Sequence, residues 1–142
     1  MVMSHYYLPL GACASICTHT ECFDEPGSFS SLKYPTNYPS DLKQSWLITA
    51  PQGRVVTLNF DSNFEIDSSA DSSCPNDYVV IYDGAFTTDA EIGRYCGITG
   101  PGLIKSLSYN LLVTFTTDGA TQFSGFSATF DLAGKRTISI AE

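Results

Sequence analysis

Basic residues and histidines are scarce in this sequence. Its 142 residues include seven Lys and Arg against fifteen Asp and Glu, and the formal net charge is −8. A field of that sign repels nucleic acid and anionic membrane surfaces, so we expect neither as a partner. Both histidines, His5 and His19, precede the main body of the chain, and neither H-E-x-x-H nor G-x-S-x-G occurs. Because these motifs supply the metal site or the nucleophile of common hydrolases, the sequence predicts a protein that is not an enzyme.

Long apolar runs and helical stripes are also missing. No stretch of about 18 apolar residues exists, so we expect no membrane-spanning helix. Charged residues make up only 15 % of the chain, whereas 43 % is hydrophobic and eleven residues are glycine. This composition predicts one globular, β-rich domain rather than a disordered chain or a long salt-bridged helix.

Short β-branched and aromatic runs, separated by turn residues, fill the body of the chain. Hydrophobic residues alternate with period 2 in several of them, as in strands that bury one face. Residues 77–84 form a further strand candidate that ends in Asp83-Gly84, a dipeptide typical of hairpins. The pattern predicts an all-β, two-sheet antiparallel sandwich with Trp46 and Phe60 in its core. The alternating runs are residues 45–51, 54–60, 110–119 and 125–133.

The five cysteines fall into two groups. Cys74 and Cys96 each stand beside turn residues in a β-rich stretch, which favours a disulfide and therefore an oxidising, extracellular compartment. Cys13, Cys17 and Cys22 lie close together near His19, with zinc-type ligands at an unorthodox spacing. We expect cysteines of this kind near a secreted N-terminus to take part in disulfides rather than in a zinc site.

Six short motifs follow one another between residues 27 and 130. They are GSFSSLKYPTNYP (27–39), SWLITAPQG (45–53), CPNDYVVIYDG (74–84), GRYCG (93–97), FTTD (115–118) and GFSATF (125–130). In order and composition they resemble the motifs of the CUB domain, a two-sheet jelly roll found in complement proteases, tolloid-type proteinases and developmental proteins. The resemblance implies a CUB domain over residues 22–132 and a C-terminal tail or linker over 133–142. Residues 1–21 are then an N-terminal extension, either a truncated leader or added sequence.

The resemblance also implies a cation site. In the calcium-binding subclass of the family, three carboxylates converge at one end of the sandwich, and Asp67, Asp77 and Asp118 occupy the corresponding places here. Because Ca²⁺ takes six to eight oxygens, we expect a carbonyl, that of Ala120, to join them. Tyr38 matches the tyrosine that orients the first carboxylate. Asp67 stands where the family usually has Glu, one methylene longer.

One family disulfide is missing from this chain. Two residues before the tryptophan of the second motif the family normally has a cysteine, and this sequence has Gln44. Its partner would have been Cys17 or Cys22, so the resemblance leaves the pairing of the N-terminal cysteines open. The second family disulfide corresponds to Cys74 and Cys96.

The expected function is a secreted, calcium-dependent protein-interaction module, one part of a larger parent chain. In the family, the outer oxygens of the ligating acids accept a basic side chain of the partner, a part that Asp67 and Asp118 would play here toward a Lys or Arg. Two alternatives remain open. One is a carbohydrate-binding jelly roll that uses exposed aromatics such as Tyr82, Phe86 or Phe123. The other is a spacer domain of a larger secreted protease that binds nothing itself.

Overall fold

The computed structural model describes residues 20–68 and 73–135. Within them nine strands form two sheets, and there is no helix. The five-stranded sheet has the order β1-β3-β8-β5-β6, and the four-stranded sheet has the order β2-β9-β4-β7. The strands are β1 (Thr20–Phe23), β2 (Gly27–Ser30), β3 (Lys43–Thr49), β4 (Arg54–Phe60), β5 (Tyr78–Asp83), β6 (Ala90–Tyr95), β7 (Leu103–Lys105), β8 (Asn110–Thr116) and β9 (Ser127–Lys135).

The two sheets pack face to face around one aromatic-rich core. Successive side chains of a strand point to opposite faces, so the alternating residues of the sequence become the inner face of each sheet. Trp46 is 1 % exposed and Phe60 is 4 % exposed, which confirms both as core residues. The Trp46 ring stacks on Phe29 at 4.6 Å and meets Phe126 edge-on. The predicted all-β, two-sheet sandwich is confirmed.

Strand β5 is buried on both of its faces over Val79, Val80 and Ile81. The predicted hairpin after Asp83 differs from the one observed, because β6 begins only at Ala90 and pairs that residue with Asp83. The connection is therefore six residues long, not the two that an Asp-Gly turn would suggest. Gly84 is required for another reason: a Cβ there would overlap the carboxylate of Asp89.

The edges of the sheets lie at β1, β6, β2 and β7. β1 pairs with β3 in parallel, whereas the other pairings are antiparallel. Cys22 of β1 is disulfide-bonded, and Cys13 and Cys17 lie outside the described residues. At the place of the missing family cysteine, Gln44 accepts a hydrogen bond from the Leu32 N–H at 3.0 Å through its side-chain oxygen. No membrane-crossing helix occurs in the described part of the chain.

Candidate metal centre

Two of the three expected acidic ligands are brought together by strand register. β5 and β8 are antiparallel neighbours, and Tyr78 lies opposite Thr116. Asp77 precedes the first residue of β5, and Asp118 follows the last residue of β8 by two positions, so both side chains lie at the same end of the sheet. The backbone N–H of Asp118 donates to Asp77 Oδ1 at 2.7 Å.

Asp67 reaches this end through a separate segment. Glu65 forms a bridge with Gly125, and Ile66 forms one with Gly97, with backbone hydrogen bonds of 2.8 and 2.9 Å. The predicted disulfide between Cys74 and Cys96 is confirmed, with the two Cα atoms 5.6 Å apart. It ties the residue next to Gly97 to the segment that leads into Asp77, and so it fixes the segments of Asp67 and Asp77 relative to each other.

Tyr38 connects the first two acids. Its hydroxyl donates to Asp77 Oδ2 at 2.7 Å and accepts the backbone N–H of Asp67 at 3.0 Å. The expectation was that this tyrosine orients the first carboxylate; the hydroxyl proton goes instead to the second, and Asp67 is positioned through its backbone. Tyr38 is almost fully buried, and burial raises the pKa of its hydroxyl, so that it remains a donor.

The three carboxylates form a compact group. Ligand oxygens of Asp67, Asp77 and Asp118 all lie within 4.8 Å of one another. Asp67 Oδ2 accepts a long hydrogen bond of 3.4 Å from the amide of Asn76, and Asp118 Oδ1 accepts the N–H of Ala120 at 3.0 Å. Asp67 Oδ1 and Asp118 Oδ2 accept no hydrogen bond from any described residue. Within the described part of the chain, each of these two acids therefore keeps one carboxylate oxygen without a donor.

Asp77 is the buried member of the group, with no exposed surface, whereas Asp67 and Asp118 are half-buried. Burial raises the pKa of the Asp77 carboxyl to about 6, and the nearby Asp118 charge acts in the same direction. The hydrogen bonds from Asp118 N–H and the Tyr38 hydroxyl lower this pKa but do not offset the burial. The group thus carries an electrostatic cost at neutral pH that a bound cation would remove.

The loop that carries Asp118 is held in place by side chains that the sequence did not single out. Thr117 is buried; its hydroxyl donates to Pro39 O at 2.9 Å and accepts the Leu42 N–H at 2.8 Å. The N–H of Asp41 donates to Asp118 O at 2.9 Å. The polar sequence of this loop did not predict these contacts. Ala120, expected to offer its carbonyl, is exposed in the same loop.

The ligand atoms of this group are of the kind that a hard divalent cation prefers. They are carboxylate oxygens, without a thiolate or imidazole, which suits Ca²⁺ or Mg²⁺ rather than zinc or copper. The ligands come from three separate segments. Such a site tolerates the irregular geometry that Ca²⁺ accepts better than the near-octahedral one that Mg²⁺ requires.

The aromatic residues considered for sugar binding do not meet at one place. Tyr82 and Phe86 line the same groove on the outer face of the five-stranded sheet. Phe123 packs against the core, and its carbonyl accepts the N–H of Tyr38.

Comparison with known proteins agrees with this geometry. A family model of the CUB domain matches residues 17–130. Cubilin of Sus scrofa is 43 % identical over 105 residues, which are 74 % of this chain and 3 % of that protein.

Two solved structures share the fold. The MASP-1 CUB2 domain bound to Ca²⁺ is 28 % identical, with a TM-score of 0.71 over 78 % of this chain and 96 % of that one. The full extracellular region of zebrafish Gpr126/Adgrg6 is 32 % identical, with a TM-score of 0.67 over 79 % of this chain and 14 % of that one. The chain thus matches nearly the whole of the MASP-1 CUB2 domain and spans only a small part of the larger relatives.

Proposed function

Because the chain belongs to the CUB domain family, we propose that it is an extracellular, calcium-dependent protein-interaction module rather than an enzyme. The observation that carries the proposal is the convergence of three carboxylates, from three segments, within 4.8 Å of one another. In this proposal Asp67, Asp77 and Asp118 hold one Ca²⁺, and the carbonyl of Ala120 and water complete its shell.

Burial and hydrogen bonding indicate different roles for the three acids. Asp77 is fully buried, and its two carboxylate oxygens accept hydrogen bonds from the Tyr38 hydroxyl and the Asp118 N–H. It can therefore bind the ion but cannot be reached by a partner protein. Asp67 and Asp118 are half-buried, and each keeps one oxygen without a hydrogen bond from a described residue. These two face both the ion and the solvent, and they are the groups that a partner can reach.

The partner side chain follows from charge. Three carboxylates around one divalent ion leave a charge of about −1 at the site, and the whole chain carries −8. A protruding Lys or Arg of an extracellular protein therefore fits between Asp67 and Asp118, where it makes charge-assisted hydrogen bonds. One such contact gives modest affinity, so the parent protein would gain from further domains that bind together with this one.

Two arguments support the extracellular setting. The Cys74–Cys96 disulfide requires an oxidising compartment. The Gpr126 neighbour is described as an extracellular region, and its matched part is a small share of a longer chain.

Binding to a lysine-bearing partner tests the proposal. The domain, displayed as a tetramer, is screened against a panel of extracellular proteins in millimolar Ca²⁺ and again in EGTA. Partners found only in Ca²⁺ are then tested after acetylation of their lysines, which removes the charge that Asp67 and Asp118 would accept. Binding that survives both EGTA and acetylation would show that the partner surface lies elsewhere, and failure to bind Ca²⁺ at all would leave the spacer alternative.

A further inference from the structure

The outer face of the five-stranded sheet carries a groove of about 590 Å³. This volume lies within the range of about 300 to 1,000 Å³ typical of small-ligand sites. The groove crosses β3, β8, β5 and β6, and its floor consists of side chains that point away from the sandwich core.

Strand register sets the floor residues in two rows across the sheet. Strand β8 contributes a threonine hydroxyl to each row, and a basic side chain stands at one end of each row. The first row is Lys43, Thr116 and Tyr78; the second is Ser45, Thr114, Val80 and Arg94. Neighbouring strands are about 4.8 Å apart and the two rows lie about 7 Å apart along the strands, so the backbone positions of the two basic residues are roughly 16 Å from each other.

One wall of the groove is the β5–β6 connection. Ala85 is buried against Leu47 and Leu112, which anchors the loop to the sheet. The Asp89 carboxylate accepts the N–H of Phe86, and the Asp89 N–H donates to Phe86 O. Phe86 is nevertheless 47 % exposed, so this loop holds an aromatic ring at the rim of the groove.

The charge of the groove is opposite to that of the molecule. Two of the seven basic residues, Lys43 and Arg94, line it, and no described acidic residue does. The Arg94 guanidinium lies 3.6 Å from the centre of the Tyr78 ring and donates to Cys74 O at 3.2 and 3.3 Å, so its position is fixed. Lys43 makes no described ion pair. A surface of this kind on a chain of charge −8 fits an anionic occupant.

We propose that this groove binds an acidic oligosaccharide of two or three sugar units. Aromatic rings such as Phe86 and Tyr82 would contact the C–H faces of the sugars, and the threonine and serine hydroxyls would bind sugar hydroxyls. Lys43 and Arg94 would bind carboxylate or sulfate groups. An acidic peptide fits less well. The floor strands β8 and β5 each have neighbours on both sides, so their backbone groups are already paired and cannot add a peptide strand.

The groove uses none of the three acidic ligands of the calcium end, so the two proposals can fail separately. Isothermal titration calorimetry in EGTA compares four probes: a heparin tetrasaccharide, a hyaluronan tetrasaccharide, neutral chitotetraose and tetraglutamate. We expect the two acidic sugars to bind without Ca²⁺, and neutral chitotetraose to bind at least about tenfold more weakly. The heparin and hyaluronan arms separate a preference for sulfate from one for carboxylate.

Variants locate the binding on the molecule. Lys43→Gln should weaken the acidic sugars about tenfold, and Phe86→Ala should weaken the charged and neutral sugars alike. Lys105→Gln is the matched control, since it makes the same charge change at an exposed residue of β7 in the other sheet. The proposal is overturned if Lys43→Gln and Lys105→Gln behave alike, if tetraglutamate binds as tightly as the sugars, or if none of the sugars binds.

Discussion

Two aspartates lie at opposite ends of β5 and have different neighbours. Asp83, the last residue of the strand, is surrounded by donors: its carboxylate accepts the N–H of Leu107 and both the N–H and the hydroxyl of Ser108. Asp77, just before the strand, receives two hydrogen bonds but also faces the carboxylates of Asp67 and Asp118. The same residue type therefore serves two purposes. Where donors surround it, an aspartate fastens a loop; where other acids surround it, its charge has an electrostatic cost that a cation would remove.

The largest expected effect is the loss of calcium stabilisation in Asp77→Asn. A ligand that binds only the native state stabilises it by about 4 kcal/mol at a thousand times its Kd. Asn preserves the shape of the side chain but cannot supply the charge, so we expect Asp77→Asn to lose most of this gain. In EGTA the stability of the variant should change little, since removal of the buried charge offsets the one hydrogen bond that Asn, with a single acceptor oxygen, cannot accept. Thermal unfolding of both proteins with Ca²⁺ and with EGTA measures this; an equal loss in both conditions would make Asp77 a structural residue like Asp83.

A second effect concerns pH in the absence of calcium. The pKa of Asp77 is about 6 in the fold against an ordinary value of 3.8, so the native state binds the proton more tightly than the unfolded chain. Relative to Asp77→Asn, whose side chain does not titrate, the wild type should gain stability as the pH falls from 7 to 4. Two pKa units correspond to roughly 3 kcal/mol at most. Denaturant unfolding of the pair in EGTA at several pH values measures the difference. A difference that does not vary with pH would show that Asp77 has an ordinary pKa.

The same substitution at the other end of β5 sharpens the comparison. Asp83→Asn weakens the hydrogen bonds to Leu107 and Ser108 and should destabilise the fold by about 1 to 2 kcal/mol. The loss should be equal with Ca²⁺ and with EGTA, and the calcium affinity should stay at its wild-type value. Chemical denaturation in both buffers is the measurement. A calcium-dependent loss would mean that the two ends of β5 are coupled.

The smallest expected effect follows from the length of one side chain. Asp67→Glu restores the extra methylene that the family usually has at this position. We expect calcium affinity to increase by a few fold, less than one hydrogen bond to a charged group is worth, with no change of stability in EGTA. Calcium titration followed by calorimetry detects such a change. Weaker binding in Asp67→Glu would indicate that the segment fixed by Ile66 and Gly97 is set for the shorter acid.

The sequence was sufficient for the parts of the fold that depend on local pattern. The period-2 residues around Trp46 and Phe60 do form the core, because one face of each strand has to be buried. The six-residue connection after Asp83 escaped prediction, since Asp-Gly fits a short turn locally while the anchoring of Ala85 on Leu47 and Leu112 is a tertiary contact.

The acidic site divides in the same way. Asp77 and Asp118 stand at the ends of recognisable strands, but their meeting depends on β5 and β8 being neighbours, which the alternation of residues does not reveal. Asp67 was identified by family resemblance alone, and the contacts of the Tyr38 hydroxyl with Asp77 and the Asp67 N–H depend on tertiary structure. The outer groove joins residues from four strands, of which only β5 and β6 are consecutive in the chain, so no local signal marks it.

The position of β9 has a consequence for how the protein is made. This strand, the last in the described part of the chain, lies inside the four-stranded sheet, between β2 and β4. All strands of the five-stranded sheet have been synthesised once the chain reaches Thr116. The four-stranded sheet still lacks its inner strand β9 until residues 127–135 have been synthesised. A growing chain therefore leaves the ribosome with the core residues of β2 and β4 uncovered. Because pairings between distant segments form slowly, this interval is when a chaperone has the most apolar surface to bind.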